Sequence, residues 1–180
     1  DFIGLKYVSA GMERLILFIY PTMVLLLSSI FFRMRITRHQ WLAVAITYAG
    51  LFLAFVGELN LDVAYDRNFY YGSALIFACA LTYAAYLVGS GRMIPLVGAA
   101  KFNSYAMSFA CVAVLIHYVL ASDESLLNFE SEVYIYSASM ALLATVIPSY
   151  LITEGIKRIG SGNASIVGSV GPVSTIVQAN

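Results

Sequence analysis

Charged residues are scarce in this sequence. Of its 180 residues only 11% are charged and 61% are hydrophobic, whereas a soluble domain carries about 25% charged and about 45–50% apolar residues. Ten Lys and Arg balance ten Asp and Glu, so no excess of positive charge points to nucleic acid as a partner. Too few polar side chains remain to cover a globule, and the composition therefore predicts an integral membrane protein.

The residue patterns of metal sites and intramembrane enzymes are also missing. Cys79 and Cys111 each lie inside an apolar run, where lone thiols usually pack as small hydrophobic side chains. Neither His39 nor His117 belongs to the H-E-x-x-H pattern of zinc peptidases. No apolar run contains a pair of acidic residues. We therefore expect no metal, no cofactor and no enzymatic activity.

Long apolar runs take up most of the chain. A helix that crosses a bilayer needs about 20 mostly apolar residues, and five runs approach that length, followed by a sixth that is rich in Gly and Ser. The predicted spans are Leu15–Phe32, Trp41–Val56, Phe69–Gly89, Phe102–Ala121, Val133–Thr153 and Ile159–Ala179. The first residue is Asp1 and the last run has no polar tail, so we expect the sequence to be part of a longer chain.

The segments between these runs alternate in charge. Residues 33–40 and 90–101 contain basic residues and no acidic ones, and residues 154–158 contain two basic residues and one acidic residue. The intervening segments are mainly acidic. Because Lys and Arg in short loops mark the cytoplasmic side of a membrane, the loops 33–40, 90–101 and 154–158 are predicted to be cytoplasmic.

Two segments of the chain resemble each other at a shift of 151 positions. Residues 4–28 and 155–179 align without a gap and share two glycines, a lysine and a proline: Gly4, Lys6, Gly11 and Pro21 align with Gly155, Lys157, Gly162 and Pro172. The copies contain the first and the sixth of the predicted spans, so they would cross the membrane in opposite directions. Inverted repeats of this kind are common in secondary transporters, whose binding site lies near the midplane.

Four segments of the sequence resemble the EamA-type transporters of the drug/metabolite transporter superfamily. They read GLKYVSAGMERLILFIYPTMVLLLS (4–28), RMRITRHQW (33–41), AVAITYAGLFLAFVGE (43–58) and GIKRIGSGNASIVGSVGPVSTIVQA (155–179). The resemblance covers nearly the whole chain. It implies an all-α, polytopic membrane helix bundle that is part of a ten-helix inverted five-plus-five repeat.

The same resemblance implies how the chain is divided and what it does. Residues 1–57 would hold the end of the first repeat, with the tail of the third helix and the fourth and fifth helices. Residues 58–68 would form an outer loop, and residues 69–180 the sixth to ninth helices. The implied function is a secondary transporter that moves a small metabolite, by export in our prediction, across the bacterial plasma (inner) membrane by alternating access. Its partners would be the lipid bilayer and a small-molecule substrate, and a homodimer is compatible with this prediction.

The prolines and tyrosines of the spans supply candidates for the transport path. A proline inside a helix removes a hydrogen-bond donor and frees a carbonyl, which is tolerated in hydrocarbon only where protein or a water-filled cavity satisfies it. Kinks at the two aligned prolines therefore predict either path-lining helices or static packing. The candidate substrate-path residues are Tyr20, Pro21, Tyr83, Tyr150, Ser165, Ser169 and Pro172. The alternative for each is helix packing, in which serine hydroxyls join helices.

Glu13 and Arg14 form the only adjacent pair of opposite charges at the end of a predicted span. A charge at the bilayer centre costs about 2.5–3.5 kcal/mol on insertion scales, so we expect this pair at the outer mouth. There it would act as a gate or as a contact for a charged substrate, or else as an interfacial anchor or ion pair. For the whole chain, the alternative to a transporter is a non-transporting membrane scaffold or sensor protein.

Overall fold

The computed structural model describes residues 4–55, 67–121 and 129–169. These ranges are mostly helical and contain no strand, which confirms the all-α membrane class. The helices are α1 (Ala10–Leu17), α2 (Tyr20–Phe32), α3 (Arg38–Phe55), α4 (Arg67–Val97), α5 (Ala99–Ala121), α6 (Ser131–Met140) and α7 (Ile147–Gly168). A 3₁₀ turn at Gly4–Lys6 precedes α1, and a π-helical segment, Ala141–Val146, joins α6 to α7.

Four stretches of the described chain are long and apolar enough to cross a bilayer. They are Gly11–Phe32, Asn68–Val97, Ala99–Ala121 and Ser131–Gly168. The chain is therefore an integral, multi-pass membrane protein, as its composition predicts. Helix α3 is not among the four because its 18 residues open with Arg38, His39 and Gln40. The predicted span there ends at Val56, which lies outside the described residues.

Two of the three segments predicted as cytoplasmic loops are helical. Helix α4 continues beyond Gly89 to Val97, and Gly98 alone separates it from α5. Gly98 has a φ of 89°, a conformation that glycine adopts at little cost, so a single residue interrupts the helix and the predicted loop at 90–101 is wrong. Residues 154–158 likewise lie within α7. Long basic side chains can extend to the membrane surface from a helix. The Lys and Arg residues of these two segments are therefore compatible with a helix as well as with a loop.

Helix α7 is interrupted two residues after the predicted boundary segment 154–158. Gly160 has a φ of 78° and a ψ of 161°, which is not helical, and the helix resumes at residue 161. Residues 154–158, between the predicted spans Val133–Thr153 and Ile159–Ala179, are thus helical, and the break falls at the second residue of the later span. Residues 170–180, and with them Pro172, lie outside the described part.

The chain forms two compact units. The first comprises residues 1–89 and 159–180, and the second comprises residues 90–158. The predicted division into 1–57, 58–68 and 69–180 follows the repeat and not the packing, and it stays a prediction. In the first unit α2 and α4 supply the most deeply buried apolar side chains, among them Val24, Ile76 and Ala84, each 0% exposed.

Candidate functional site

The predicted span Leu15–Phe32 is interrupted in front of Pro21, between helices α1 and α2. Helix α1 ends at Leu17 and α2 begins at Tyr20. The backbone N–H of Ile19 donates to Ile16 O at 3.2 Å, and the regular pattern resumes where Met23 N–H donates to Ile19 O at 3.1 Å. Pro21 has no N–H to give to the carbonyl four residues earlier. The kink predicted at this proline is therefore present, and the proline itself is buried.

Tyr20, which follows the kink, contacts the last described helical segment, residues 161–168. Tyr20 Oη donates to the carbonyl oxygen of Ser165 at 3.0 Å. That carbonyl also accepts the backbone N–H of Ser169, at 3.2 Å. A Cβ atom on Gly168 would lie 3.0 Å from Tyr20 Oη, so the glycine leaves room for the hydroxyl. The two aligned copies thus meet at a polar contact beside the proline kink.

The contacts between α2 and residues 161–168 run in opposite directions along the two helices. Tyr20 contacts Ser165 and Gly168. Five residues later in α2, Leu25 reaches Gly162, where a Cβ atom would lie 3.0 Å from Leu25 Cδ2. The two helices therefore pack antiparallel, which agrees with the opposite crossing directions expected from the charged segments.

Three tyrosines, Tyr20, Tyr83 and Tyr86, form a tyrosine cluster beside this contact. The rings of Tyr20 and Tyr83 meet edge to face with centroids 5.2 Å apart. The rings of Tyr83 and Tyr86 are stacked with centroids 6.3 Å apart. Tyr83 is 42% exposed and Tyr86 41%, so aromatic faces remain open next to the Tyr20 hydroxyl. Such a surface can stack on a flat or aliphatic solute and can hold a cation over a ring face.

Ser165 and Ser169 are almost completely buried, at 2% and 1% exposure. Their hydroxyls donate to backbone carbonyls of the preceding turn, Ser165 Oγ to Gly162 O at 2.8 Å and Ser169 Oγ to Ile166 O at 2.6 Å. Serine in helices often bonds in this way. It is the carbonyl of Ser165, not its hydroxyl, that meets Tyr20.

The remaining described candidates are Tyr150, Glu13 and Arg14. Tyr150 belongs to the second unit, where its Oη lies 2.6 Å from Ser104 Oγ. Glu13 and Arg14 lie in α1 and form no ion pair with any described residue. Glu13 occupies the first turn of α1, where the helix dipole stabilises a carboxylate.

Two polar pairs of the first unit were not among the predicted site residues. Thr22 Oγ1 lies 2.6 Å from Tyr48 Oη, and Gln40 Nε2 donates to Asn163 Oδ1 at 3.0 Å. The position of Gln40 can be predicted from the sequence, because T-x-x-Q is the pattern of a capping box at the start of a helix. The structure has this box at the start of α3, where Thr37 N–H donates to Gln40 Oε1 at 3.0 Å. The partner 123 residues later has no such local pattern.

Comparison with known proteins identifies the family. The sequence model of the EamA-like transporter family matches residues 2–56 and 70–180. The chain belongs to the EamA-like transporter family. The kinked helix, the tyrosine cluster and the segment 161–168 all fall within the matched residues.

Three relatives from Bacillus subtilis (strain 168) align with almost the whole chain. The uncharacterized transporter YcbK is 34% identical over 98% of this chain and 57% of its own length. The uncharacterized transporter YyaM is 26% identical over 98% of this chain and 58% of its length, and the uncharacterized transporter YdfC is 24% identical over 97% and 55%. The chain thus spans a little over half the length of these relatives. No solved structure shows a significant match to it.

Proposed function

We propose that this EamA-like chain belongs to a secondary transporter that exports a small, amino-acid-like organic solute across the plasma membrane by alternating access. The observation that carries the proposal is the hydrogen bond from Tyr20, beside the proline kink, to the segment aligned with its own helix. Substrate sites of inverted-repeat transporters lie near the midplane, at interrupted helices where the repeats meet. The family and the transporter relatives supply the functional class.

The chemistry of the tyrosine cluster favours an uncharged or zwitterionic solute. Hydroxyls, aromatic faces and backbone carbonyls surround Tyr20, and its nearest described partners are Ser165, Gly168, Phe18 and Tyr83. None of these carries a charge. A solute with a net charge would lose its hydration here without a countercharge, which is costly. An amino-acid-like solute brings internally balanced charges and an apolar part that can stack on Tyr83.

The proline kink gives the proposed path a point at which it can move. Two helical segments, α1 and α2, meet at Phe18–Ile19 without a continuous hydrogen-bond pattern. Hinges in transporters and other moving proteins are a few residues at the ends of elements that absorb a change in φ and ψ. In the proposed mechanism α2 tilts about this joint, and the Tyr20–Ser165 bond is made in one state and lost in the other.

Flux measurements on the full-length protein in proteoliposomes test the proposal. A panel of labelled neutral, zwitterionic, anionic and cationic solutes is offered from each side in turn, and the initial rates are compared with those of protein-free liposomes. Tyr20→Phe keeps the ring and removes the hydroxyl, so the rate for the transported solute should fall about two- to tenfold, in line with one hydrogen bond of about 0.5–1.5 kcal/mol. Protein abundance and thermal stability are measured alongside.

Tyr136→Phe is the matched control. It removes the same atom from a tyrosine of α6 that is 67% exposed, and it should transport at the wild-type rate. Wild-type flux in Tyr20→Phe would remove Tyr20 from the path. If the folded wild-type protein moves no solute of the panel in either direction, the transporter proposal fails and a scaffold or sensor protein becomes the better account.

A further inference from the structure

A small cavity lies in the first unit where the end of α2, residues 34–36 and the break in α7 come together. Its volume is about 120 Å³, and its lining includes Ser28, Arg35, Gln40 and residues 159–163. A water molecule takes up about 30 Å³ in the liquid, and pockets for drug-sized ligands measure about 300–1,000 Å³. The cavity therefore has room for one small polar group and not for a whole organic ligand.

The side-chain amide oxygens that line this cavity already accept hydrogen bonds. Gln40 Oε1 accepts the backbone N–H of Thr37 at 3.0 Å, and Asn163 Oδ1 accepts Gln40 Nε2 at 3.0 Å. The carbonyl of Ser28 accepts Met34 N–H at 3.4 Å. None of the residues that line the cavity is acidic. The hydroxyl of Ser28 and the guanidinium of Arg35 remain as donors.

One of these donors is buried and has no partner. Ser28 is 6% exposed, and its Oγ forms no hydrogen bond with any described residue. Leaving a buried hydroxyl unsatisfied is costly. Two other buried serines of this unit, Ser165 and Ser169, avoid that cost by donating to their own helix. The free hydroxyl of Ser28 therefore calls for an acceptor in the cavity that it lines.

Positive charge reaches the cavity from two directions. Arg35 lines it and forms no ion pair within the described part of the chain. The helix that resumes after Gly160 begins here, because its residues 161–163 also line the cavity. The N-terminus of a helix carries a partial positive charge and is a common place for anions. An arginine guanidinium adds donors in a planar array that matches carboxylate and phosphate oxygens.

We propose that this cavity is a binding site for a single anionic group, a carboxylate or a phosphate. Ser28 Oγ and the Arg35 guanidinium donate to its oxygens, and the helix start at residue 161 supports the charge. The group can come from a soluble molecule or from the headgroup of an anionic lipid. The proposal does not depend on transport, because an anion can bind here whether or not the protein moves a solute.

Thermal unfolding of the full-length protein in lipid nanodiscs tests the site. In discs of phosphatidylcholine alone, inorganic phosphate or acetate is titrated at constant ionic strength with chloride as the balancing salt. The midpoint temperature should rise and saturate. Ser28→Ala and Arg35→Gln should each raise the half-saturating concentration about tenfold, as expected for the loss of a hydrogen bond to a charged group. A second series uses discs that also contain phosphatidylglycerol.

Arg38→Gln is the matched control, because it removes an equal charge from the same basic segment at a residue that does not line the cavity. It should bind as the wild type does. Ser28→Ala without anion should be at least as stable as the wild type, since it removes an unsatisfied hydroxyl, and this separates lost binding from lost folding.

The two series also distinguish the sources of the group. The site binds a lipid headgroup if phosphatidylglycerol raises the midpoint temperature, free phosphate adds no further rise, and both cavity variants lose the effect. Saturation by phosphate or acetate in phosphatidylcholine assigns it to a soluble anion. The proposal is overturned if neither series stabilises the wild type, if both cavity variants respond like the wild type, or if Arg38→Gln loses as much as they do.

Discussion

The two compact units differ in how closely their own helices approach one another. In the first unit helices approach closely over glycines: a Cβ atom on Gly4 would lie 2.6 Å from Ile76 Cγ1, and one on Gly72 would lie 2.7 Å from Tyr7 Cβ. In the second unit α5 buries only Ala99 and Asn103, and α6 buries none of its residues. There the links between α5 and α7 are polar, with Asn103 Nδ2 donating to Ser149 Oγ at 3.0 Å and a contact of Ser104 with Tyr150 at 2.6 Å.

This difference shows two ways of joining helices where the hydrophobic effect gives little help. Lipid tails are as apolar as leucine, so helices in a bilayer associate through close packing at small residues and through hydrogen bonds between them. The first unit uses both, with close packing over Gly4 and Gly72 beside hydrogen bonds such as Tyr20 to Ser165. In the second unit the described links between α5 and α7 are hydrogen bonds. The exposed apolar side chains of α5, such as Phe109 and Leu120, are compatible with a helix whose outer faces meet lipid or other helices.

The largest loss of stability is expected for a substitution at Gly72, in the first unit. An alanine there would place Cβ 2.7 Å from Tyr7 Cβ and 2.9 Å from Val8 Cγ2, and the first of these atoms cannot move without the backbone. We expect Gly72→Ala to lower the free energy of unfolding by about 1–3 kcal/mol, the usual range for overpacking. Reversible denaturation in detergent micelles measures it.

Gly89→Ala in the same helix is the control, because no atom lies within 4 Å of the position that its Cβ would take. Alanine is the better helix former by up to about 1 kcal/mol, so this variant should unfold at the same free energy or a higher one. Equal losses in Gly72→Ala and Gly89→Ala would show that close packing over Gly72 does not hold the first unit together.

A smaller effect is expected for the polar link of the second unit. Asn103 is 0% exposed, and its Oδ1 has no partner among the described residues, so its bond to Ser149 is the main compensation for its burial. A double-mutant cycle of Asn103→Ala and Ser149→Ala should give a coupling free energy of about 0.6 kcal/mol, the average for such bonds in membranes, and at most about 1.7 kcal/mol.

The control cycle pairs Asn103→Ala with Ser137→Ala, an exposed serine of α6 that shares no hydrogen bond with Asn103. Mutations at independent sites add within about 0.3–0.5 kcal/mol. If the Asn103–Ser149 cycle shows no more coupling than the control, the second unit is not joined by this bond, and the contrast between the units disappears.

Much of the fold could be predicted because it depends on properties that are averaged over many residues. The scarcity of charge and the apolar runs identified a multi-pass helical protein, and Pro21 marked a real break. The turns could not be predicted in the same way. The basic residues at 90–101 suggested a loop, but Gly98, at a φ of 89°, is the one residue there that is not helical. Whether a glycine adopts this conformation depends on the packing of the helices on either side.

The sequence supplied individual candidates for the path, but it could not supply the contacts between them. Tyr20 and Ser165 were both proposed for the path, yet their contact joins residues 145 positions apart and uses the serine carbonyl. Every residue has a carbonyl, so no sequence pattern marks it. No sequence pattern marks the unpartnered hydroxyl of Ser28 either, because its lack of a hydrogen bond depends on how distant parts of the chain pack around it.

The antiparallel packing of α2 against residues 161–168 underlies both the proposed path and the inverted repeat, and disulfide crosslinking tests it most directly. In a background with Cys79 and Cys111 replaced by serine, the pair Leu25→Cys and Gly162→Cys should crosslink on oxidation, because these residues are in contact. The pair Leu25→Cys and Gly168→Cys should not. Crosslinking of the second pair in preference to the first would mean that the helices run parallel and would contradict the account.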